Sequence, residues 1–354
     1  MMKNKNFKKT RKLFTNFRTL KGNFMTNKLK EVPIFTATDD NYIPFLAVTL
    51  ESMRENCSPD YKYVVKVLNS GISAENIEKI KKYESDNISV DFVDVTPSLS
   101  KLEQTLHTCI YYTKVTYYRL FITSLFPNYD KALYLDPDIV IRSDVADLYN
   151  IDIGNNLVGA TTDEFVANWE KVQPYISKGL GFSTHKNYFN AGVLVMNLKE
   201  MRRQGFEEQF IDLLAKYKFV VQDQDYLNVI CKDQVHYISG LWDKMPCTED
   251  VDVKDIHLIH YNLIWKPWHA EVPYGDEFWK YVDMTEFKDY IHNIRDNYSA
   301  EKYKKDVDNF NGFMDMIVAE GENPNNYYNT FIKPKDEDEG FSGFQFVQTV
   351  MANI

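Results

Sequence analysis

Two aspartates directly follow an apolar segment, and their spacing suits the binding of a metal ion. The segment 131–135 runs into Asp136, Pro137 and Asp138. Side chains at positions i and i+2 of an extended segment point to the same side, so the two carboxylates repel each other. A divalent cation relieves that repulsion, and oxygen ligands suit magnesium or manganese. The alternative is that both aspartates are solvated residues of a turn set by Pro137.

A histidine and a lysine later in the chain could complete such a site. His260 ends an apolar run, and Lys266 follows shortly after it, at a distance suited to reaching a phosphate. Taken alone, His260 is better explained as a buried core histidine. In combination, Asp136, Asp138 and His260 form a candidate ligand set that favours Mn²⁺, with Mg²⁺ as the alternative, because imidazole suits the softer ion.

The elements that must position these residues follow the pattern of a mostly parallel α/β sheet, in which apolar segments alternate with segments of helical period. Strands are predicted over 32–37, 63–68, 90–95, 131–135, 157–160, 189–197 and 256–260. Helices are predicted to begin near residue 44 and to span 72–83, 114–125, 206–217 and 303–317. Ligands of such sheets bind at the carboxyl ends of strands, where Asp136 and His260 lie. Strand patterns stop near residue 270, so 271–354 is predicted to be a mainly helical appendage to a main domain at 31–270.

The distribution of charge excludes bulk binding of nucleic acid. The formal net charge is -10, but residues 1–30 hold ten Lys or Arg and no acid, which leaves 31 basic and 51 acidic residues, or -20, in the rest. Such a body repels polyanions, so an acidic ligand needs a local cationic site. The longest apolar runs fall far short of the roughly 20 residues of a membrane span. Four cysteines without a CxxC pair suit a reducing compartment, so a cytoplasmic location is expected.

The basic arm at 1–30 has two interpretations. Interspersed phenylalanines at near-helical spacing allow a membrane-surface helix, which would place the protein peripherally at the anionic inner face of a membrane. The favoured interpretation is a disordered tail, or translation that starts at Met25 rather than Met1.

Six ordered motifs between residues 32 and 270 together resemble glycosyltransferase family 8. They are Phe35-Thr-Ala-Thr-Asp-Asp-Asn-Tyr42, Tyr118-Arg-Leu120, Tyr134-Leu-Asp-Pro-Asp138, Phe189-Asn-Ala-Gly192, Gln222-Asp-Gln-Asp-Tyr-Leu-Asn228, and His260-Tyr261 with Lys266-Pro-Trp268. The resemblance implies a retaining, metal-dependent enzyme of the GT-A fold, with a Rossmann-like central sheet. The implied reaction moves galactose or glucose from a UDP-sugar to a glycan, glycolipid or glycoprotein acceptor.

The resemblance also implies roles for individual residues. The residues matching the uracil and ribose site are Ala37, Thr38, Asp39, Asn41 and Tyr42. Those matching the donor phosphates and the metal are Arg119, Lys266, Asp136, Asp138 and His260. Those matching the surroundings of the transferred sugar are Asp163, Asn190, Ala191, Asp223 and Gln224. Gln224 and Asp225 are the catalytic candidates, with Gln224 expected to support a front-face mechanism electrostatically.

One departure from the family pattern affects the diphosphate site. Relatives often carry a glycine three residues after the metal histidine, and this chain has Leu263 there. The loop is therefore expected to take another path or to hold the diphosphate differently. Two other functions remain open from the residues alone: a metal-dependent nucleotidyltransferase or phosphohydrolase on the same fold, and a non-catalytic binding protein.

Overall fold

The computed structural model describes residues 29–335, except for 101, 103, 104 and 110–112. The predicted basic arm lies outside the described residues apart from its last two positions. The final part of the predicted appendage, from residue 336, also lies outside them.

A seven-stranded sheet forms the centre of the fold, with a two-stranded sheet beside it. The strands are β1 (Lys30–Ala37), β2 (Tyr61–Asn69), β3 (Ile88–Asp94), β4 (Ala132–Leu135), β5 (Ile139–Ile141), β6 (Val158–Ala160), β7 (Val193–Met196), β8 (Val235–Tyr237) and β9 (Leu258–His260). The order in the large sheet is β3-β2-β1-β4-β7-β6-β8, and the small sheet pairs β5 with β9. Within the large sheet, β7 is antiparallel to its neighbours β4 and β6, and the other pairs of described strands are parallel. The small sheet is antiparallel. The mostly parallel sheet predicted from the sequence is therefore confirmed.

Helices cover the sheet and extend beyond it. The α-helices are α1 (Ile43–Asn56), α2 (Ala74–Lys81), α3 (Thr96–Leu99), α4 (Ile122–Leu125), α5 (Val145–Asn150), α6 (Glu164–Asn168), α7 (Leu198–Arg203), α8 (Phe206–Leu214), α9 (Gln222–Cys231), α10 (Gly275–Val282), α11 (Lys288–Asp296) and α12 (Ala300–Glu322). Shorter 3₁₀ segments are Lys114–Phe121, His185–Asn187, Gly240–Trp242 and Val253–Asp255. Two π-helical turns are Tyr175–Gly179 and Tyr328–Ile332.

The apolar strands are buried on both faces, which explains their nearly continuous hydrophobic sequences. Successive side chains of a strand point to opposite faces, and β1 divides accordingly between two hydrophobic cores. Val32 and Ile34 belong to one core, whereas Phe35 and Ala37 belong to the other. The central sheet thus separates two packed layers, and polar residues are left to the ends of its strands.

Three sequence predictions need correction in detail. The segment predicted as a helix over 114–125 is mostly 3₁₀, with a short α4 at its end. The strand predicted over 189–197 is shorter, because only β7 forms a regular strand and Phe189 makes an isolated bridge with Thr162. The short strands β5 and β8 were not predicted, since three residues carry too little periodicity to be recognised.

The C-terminal helices pack against the body rather than standing apart from it. Helix α12 contains the predicted segment 303–317, and its Phe313 and Ile317 belong to one hydrophobic core. Ile291 of α11 belongs to the other core. Among the residues that the structure describes, no helix has both the length and the apolar composition needed to cross a bilayer.

Candidate active site

A cavity of about 600 Å³ opens at the edge of the sheet where β1, β4 and β9 end. Residues after β1 and β4 reach this edge because the two strands are parallel. Strand β7 runs the other way, so the residues that precede it, Asn190 to Gly192, reach the same edge. A backbone hydrogen bond of 2.8 Å from Asp136 N to Gly192 O joins the two segments. Topology thus brings together motifs that are far apart in the sequence.

Asp136, Asp138 and His260 form a cluster with the chemistry of a metal site. One ligand atom from each lies within 4.8 Å of the others. His260 Nε2 is 3.7 Å from Asp136 Oδ2 and 3.5 Å from Asp138 Oδ1. Asp138 Oδ1 is buried, and no donor among the described residues forms a hydrogen bond with it. A buried oxygen without a donor, beside a carboxylate and an imidazole, fits a divalent cation.

Asp243 orients the imidazole of His260. His260 Nδ1 lies 2.9 Å from Asp243 Oδ1, while Thr161 Oγ1 donates to the other carboxylate oxygen at 3.0 Å. This contact leaves Nε2 directed at the two aspartates, as metal-binding histidines require. Sequence reasoning missed Asp243, because it follows a short 3₁₀ turn and belongs to no motif.

The electrostatic field of the cluster favours positive charge. Burial lowers the pKa of His260, but the carboxylates of Asp243 and Asp138 outweigh it and raise the pKa to about 10. Burial raises the pKa of Asp138, but the Lys266 ammonium outweighs it and holds the pKa well below its usual range. The buried carboxylates of Asp138 and Asp243 and the half-buried carboxylate of Asp136 thus lie around the imidazole of His260, and together they favour a cation there.

Gly192 has no side chain, and the space where one would lie is occupied by His260 and Asp136. A Cβ atom at this position would lie 2.2 Å from His260 Cε1 and 2.7 Å from Asp136 Oδ2. Both distances are too short for any side chain, so glycine is required by close approach and not by backbone angles. The motif Phe189-Asn-Ala-Gly192 therefore contributes a gap as well as polar groups.

Arg119 links the metal cluster to the region around Gln224. It donates from Nη2 to Asp136 Oδ1 at 2.9 Å, and its Nε lies 3.0 Å from Asp223 Oδ2. It also donates to the carbonyl oxygen of Ala191. Burial raises the pKa of Asp223 to about 6, although the Arg119 charge opposes that shift. Arg119 is itself buried, so its charge is fixed in place by these partners.

Gln224 sits in a cluster in which each polar end is paired. Its Oε1 accepts from Ala191 N at 3.0 Å, and its Nε2 donates to Asp163 Oδ2 at 3.0 Å. Asn190 Nδ2 donates to the same oxygen of Asp163 at 3.1 Å. Asp163 also caps α6 through Val166 N, and burial raises its pKa. All five residues predicted to surround the transferred sugar line the cavity.

Asp225, next to Gln224 in the sequence, is fully buried. Its carboxylate accepts hydrogen bonds from Tyr175 OH at 2.6 Å, Tyr188 OH at 2.7 Å and Val221 N at 2.7 Å. Gln224 Nε2 also approaches Tyr188 OH at 3.2 Å. Burial raises the pKa of Asp225 to about 7, against the effect of the two tyrosine hydroxyls. The cavity lining includes Asp223 and Gln224 but not Asp225.

The residues predicted to hold the nucleotide line the other end of the cavity. They are Ala37, Thr38, Asp39, Asn41 and Tyr42, all just after β1. Asp39 Oδ1 accepts from Asn41 N at 3.0 Å and Tyr42 N at 3.1 Å, which shapes the turn before α1. The N-cap of α1 is Tyr42, so Asp39 organises the turn without being the cap itself.

Lys266 lies between this end and the metal cluster. Its Nζ donates to Asp138 Oδ2 and to the carbonyl oxygen of Tyr261, and it is 5.8 Å from the centre of the Tyr42 ring. Burial lowers the pKa of Lys266, but the charge of Asp138 outweighs this and raises it. The ammonium therefore stays charged inside the protein.

Leu263 adopts the backbone conformation that favours glycine. Its φ is +49°, in the left-handed region, and its side chain lines the cavity. A glycine would adopt this conformation without the strain that leucine bears. The loop before Lys266 thus takes a turn suited to glycine despite the substitution, which the sequence alone did not predict.

Comparison with known proteins agrees with this geometry. The model of glycosyl transferase family 8 matches residues 33–272. The chain therefore belongs to glycosyltransferase family 8. It is 32% identical over 249 residues to a Haemophilus influenzae protein assigned to the glycosyltransferases, covering 67% of this chain and 73% of that protein. It is 26% identical over 308 residues to an Escherichia coli lipopolysaccharide 1,2-glucosyltransferase, covering 78% and 87%.

Solved structures support the same family and the GT-A fold. The galactosyltransferase LgtC, solved with donor and acceptor sugar analogues, is 27% identical with a TM-score of 0.60, covering 72% of this chain and 96% of that one. This family 8 member is thus a glycosyltransferase with a nucleotide-sugar donor and a carbohydrate acceptor. Membership favours this activity over the nucleotidyltransferase and the non-catalytic alternatives.

Proposed function

We propose that this protein transfers galactose or glucose from a UDP-sugar with retention of anomeric configuration and with a bound Mn²⁺. The carrying observation is a series of contacts among residues that line one cavity. Lys266 lies between Tyr42 of the turn after β1 and Asp138 of the metal cluster. Arg119 then connects Asp136 of that cluster to Ala191, whose amide binds Gln224. A UDP-sugar has the same order of parts, namely base and ribose, diphosphate, and hexose. The proposal lays the donor along the cavity in that direction.

The nucleotide end would be held by the turn after β1. Tyr42 offers a ring face to the base, and Asn41 offers polar groups to the uracil or ribose. The carboxylate of Asp39 already accepts two backbone amides, so it holds the turn in one shape before the donor arrives. A preformed turn reduces the ordering cost of binding.

The diphosphate would lie between Lys266 and the metal cluster. Asp136, Asp138 and His260 would hold the ion, which would supply Lewis-acid stabilisation of the charge that develops on the departing phosphate. Lys266 adds a buried, permanently charged ammonium on the neighbouring side. Arg119 keeps Asp136 in place from behind through its hydrogen bond. Because the body carries a strong net negative charge, this local set of cations is what admits an acidic donor.

The hexose would lie against Gln224, Asp163 and Asn190. In the proposed front-face step, the bond from the anomeric carbon to the phosphate oxygen breaks while the acceptor oxygen bonds to the same face. The acceptor proton passes to the departing phosphate oxygen. Gln224 would support the positive charge at the anomeric carbon through its carbonyl oxygen, which Ala191 N holds in position. The engagement of Asp163 and Asp225 with several donors each favours this step over covalent attack by either carboxylate.

The acceptor is proposed to be a glycan, glycolipid or glycoprotein. The Escherichia coli relative named above acts, by its name, on lipopolysaccharide, which makes a lipopolysaccharide-type glycan the first class to test. Peripheral contact of the basic segment 1–30 with an anionic membrane remains part of the proposal, supported only by its ten positive charges.

The test is release of UDP from UDP-galactose and UDP-glucose with Mn²⁺, before and after EDTA. The expected result is turnover of one of the two donors that EDTA stops and added Mn²⁺ restores. Mg²⁺ in place of Mn²⁺ should support a lower rate. Absence of turnover with every nucleotide sugar supplied, or turnover that EDTA does not change, would contradict the proposal.

A further inference from the structure

A second cavity of about 520 Å³ adjoins the active-site cavity. It lies between α11 and the first turns of α12, within residues 290–309, and is bounded by His269; we call it the α11–α12 groove. Four residues line both cavities: His269, Ile294, Asp306 and Asn309. The groove is therefore continuous with the space in which the sugar is transferred.

The groove is formed mainly by residues beyond the family match, which ends at residue 272. Helix α12 delivers Asp306, Asn309, Phe313 and Ile317 to the active-site cavity, and these residues lie on one face of the helix. The wall that α12 forms is thus a property of this chain's own C-terminal segment. The family's donor motifs do not contribute to it.

The position of α12 relative to the active site is fixed by close packing. The ring of Phe310 lies 5.9 Å from that of Phe165 and 6.1 Å from that of Trp265. A Cβ atom at Gly321 would lie 3.1 Å from Tyr175 Cα, so the helix backbone approaches the π-helical turn closely. These contacts hold α12, and with it one wall of the groove, in place beside the active-site cavity.

The lining of the groove suits hydroxyl-rich ligands. Its charged side chains, which can also form hydrogen bonds with hydroxyl groups, are those of Lys302, Lys305 and Asp306. Asn293, Asn297 and Asn309 supply amides that can both donate to and accept from hydroxyl groups. Tyr290 supplies a ring that is 51% exposed, on which the apolar face of a sugar can stack. A few polar groups beside aromatic surface are typical of sites that orient small ligands.

The available space also favours an extended acceptor. A nucleotide sugar is a drug-sized ligand, and sites for such ligands have volumes of roughly 300–1,000 Å³. The active-site cavity of about 600 Å³ lies within that range and suits the donor together with the sugar that receives the transfer. The α11–α12 groove offers comparable additional room at the same opening, where the rest of an acceptor chain would lie.

We propose that the α11–α12 groove binds the second and following sugar units of the acceptor, so that the acceptor is an oligosaccharide rather than a single sugar. This inference rests on the proposed function, because it assumes that transfer takes place beside Gln224. The terminal sugar enters the active-site cavity past Asn309, and the units behind it contact Asn293 and Tyr290.

The experiment is a glycan array that carries single sugars and oligosaccharides of increasing length, probed with labelled protein in the presence of UDP and Mn²⁺. The variants are Tyr290→Ala and Asn293→Ala. The matched control is Tyr303→Ala, because Tyr303 is 50% exposed on α12 but lines neither cavity. Release of UDP from the preferred donor is measured in parallel for all four proteins.

The expected result is binding to glycans of two or more units and weak binding to single sugars. Either groove variant should weaken oligosaccharide binding roughly fivefold or more, with an unchanged KM for the donor, whereas Tyr303→Ala should bind as the wild type does. Equal binding of single sugars and oligosaccharides, no effect of the groove variants, or no glycan binding by a protein that turns over its donor would overturn the inference. Absence of donor turnover would instead overturn the proposed function, so the two failures are distinguishable.

Discussion

The metal-ligand cluster and the cluster around Gln224 lie in one cavity but differ in how their polar atoms are satisfied. In the first, a buried oxygen of Asp138 accepts no hydrogen bond from the described residues, and His260 Nε2 faces two carboxylates. In the second, Gln224 and Asp163 are paired at each end. The first arrangement leaves a carboxylate oxygen available to a cation, whereas the polar atoms of the second are already paired. We infer that the metal-ligand cluster binds the donor through a cation and that the cluster around Gln224 orients the transferred sugar.

The largest effect is expected from Asp138→Asn, which tests the incomplete cluster. The change removes one metal-binding charge, so kcat/KM should fall by about 10²–10³-fold and Mn²⁺-dependent binding of UDP should be lost. We prefer asparagine to alanine because its amide keeps the shape next to Lys266, which otherwise faces a void. Calorimetric titration of UDP with and without Mn²⁺ checks binding. Asp130→Asn on the surface is the control, and wild-type activity in the Asp138 variant would refute the metal assignment.

The next effect is expected from Gln224→Ala, which tests the rigid cluster. Turnover should fall by about tenfold to 10²-fold, since electrostatic support at the sugar face is lost. The affinity for UDP should stay within about twofold, because no predicted contact of Gln224 involves the nucleotide. Steady-state kinetics and UDP titration separate the two quantities. Gln234→Ala is a matched control, because Gln234 pairs with Gln204 outside the cavity. Equal loss of UDP binding in the Gln224 and Asp138 variants would contradict this prediction, because it would show that Gln224 also contributes to nucleotide binding.

A smaller, pH-dependent effect is expected from Asp225→Asn. Burial raises the pKa of Asp225 from 3.8 to about 7 in the folded protein. Ionisation in the fold therefore costs stability increasingly as pH rises from about 4 to about 7, at about 1.4 kcal/mol per pKa unit. Asparagine does not titrate, so the Tm of the variant minus that of the wild type should increase between about pH 5 and about pH 8.

Thermal unfolding followed by circular dichroism at both pH values measures that difference. Asp212→Asn, on the exposed side of α8, should show no such trend. A difference in Tm that is constant with pH would show that Asp225 is ionised throughout. Asp225 would then be a charged carboxylate with all its hydrogen bonds formed, unlike Asp138, whose Oδ1 has no donor among the described residues.

The smallest effect is expected from Leu263→Gly, next to Lys266. The backbone already has the φ of +49° that glycine favours, so the KM for the donor should change by no more than about twofold. Leu263→Ala removes the same side chain but keeps the left-handed strain, and it is the control. A large rise in the donor KM for Leu263→Gly alone would show that the leucine side chain itself restrains the loop.

The sequence predicted the metal cluster and the sheet more completely than the cluster around Gln224. Asp136 and His260 end apolar strands, and the rule that ligands bind at strand ends applies to them directly. The roles of Asp163 and Asn190 came only from family resemblance, because no local pattern relates them to Gln224. Neither the strand-end rule nor the family resemblance identified Asp243, because its contact with His260 depends on the path of a loop.

The position of α12 beside the active site also could not be predicted from the periodicity of the sequence. The spacing of apolar residues indicated a helix, but it did not reveal which surface of the body the helix would cover. Phe313 and Ile317 lie in a hydrophobic core and line the active-site cavity, a position that follows from tertiary packing alone. Periodicity predicts that a face is buried, whereas the partner of that face is decided by the whole fold.

The reversed direction of β7 has a consequence for hydrogen exchange. The amide of Asp136 donates to Gly192 O and so belongs to the ladder between β4 and β7, in the centre of the sheet. Exchange of this amide with solvent then requires opening of the central strands rather than fluctuation of a loop. We therefore expect the amide of Asp136, a proposed metal ligand, to exchange as slowly as the amides of the central strands, so that its backbone keeps its position for as long as the domain remains folded.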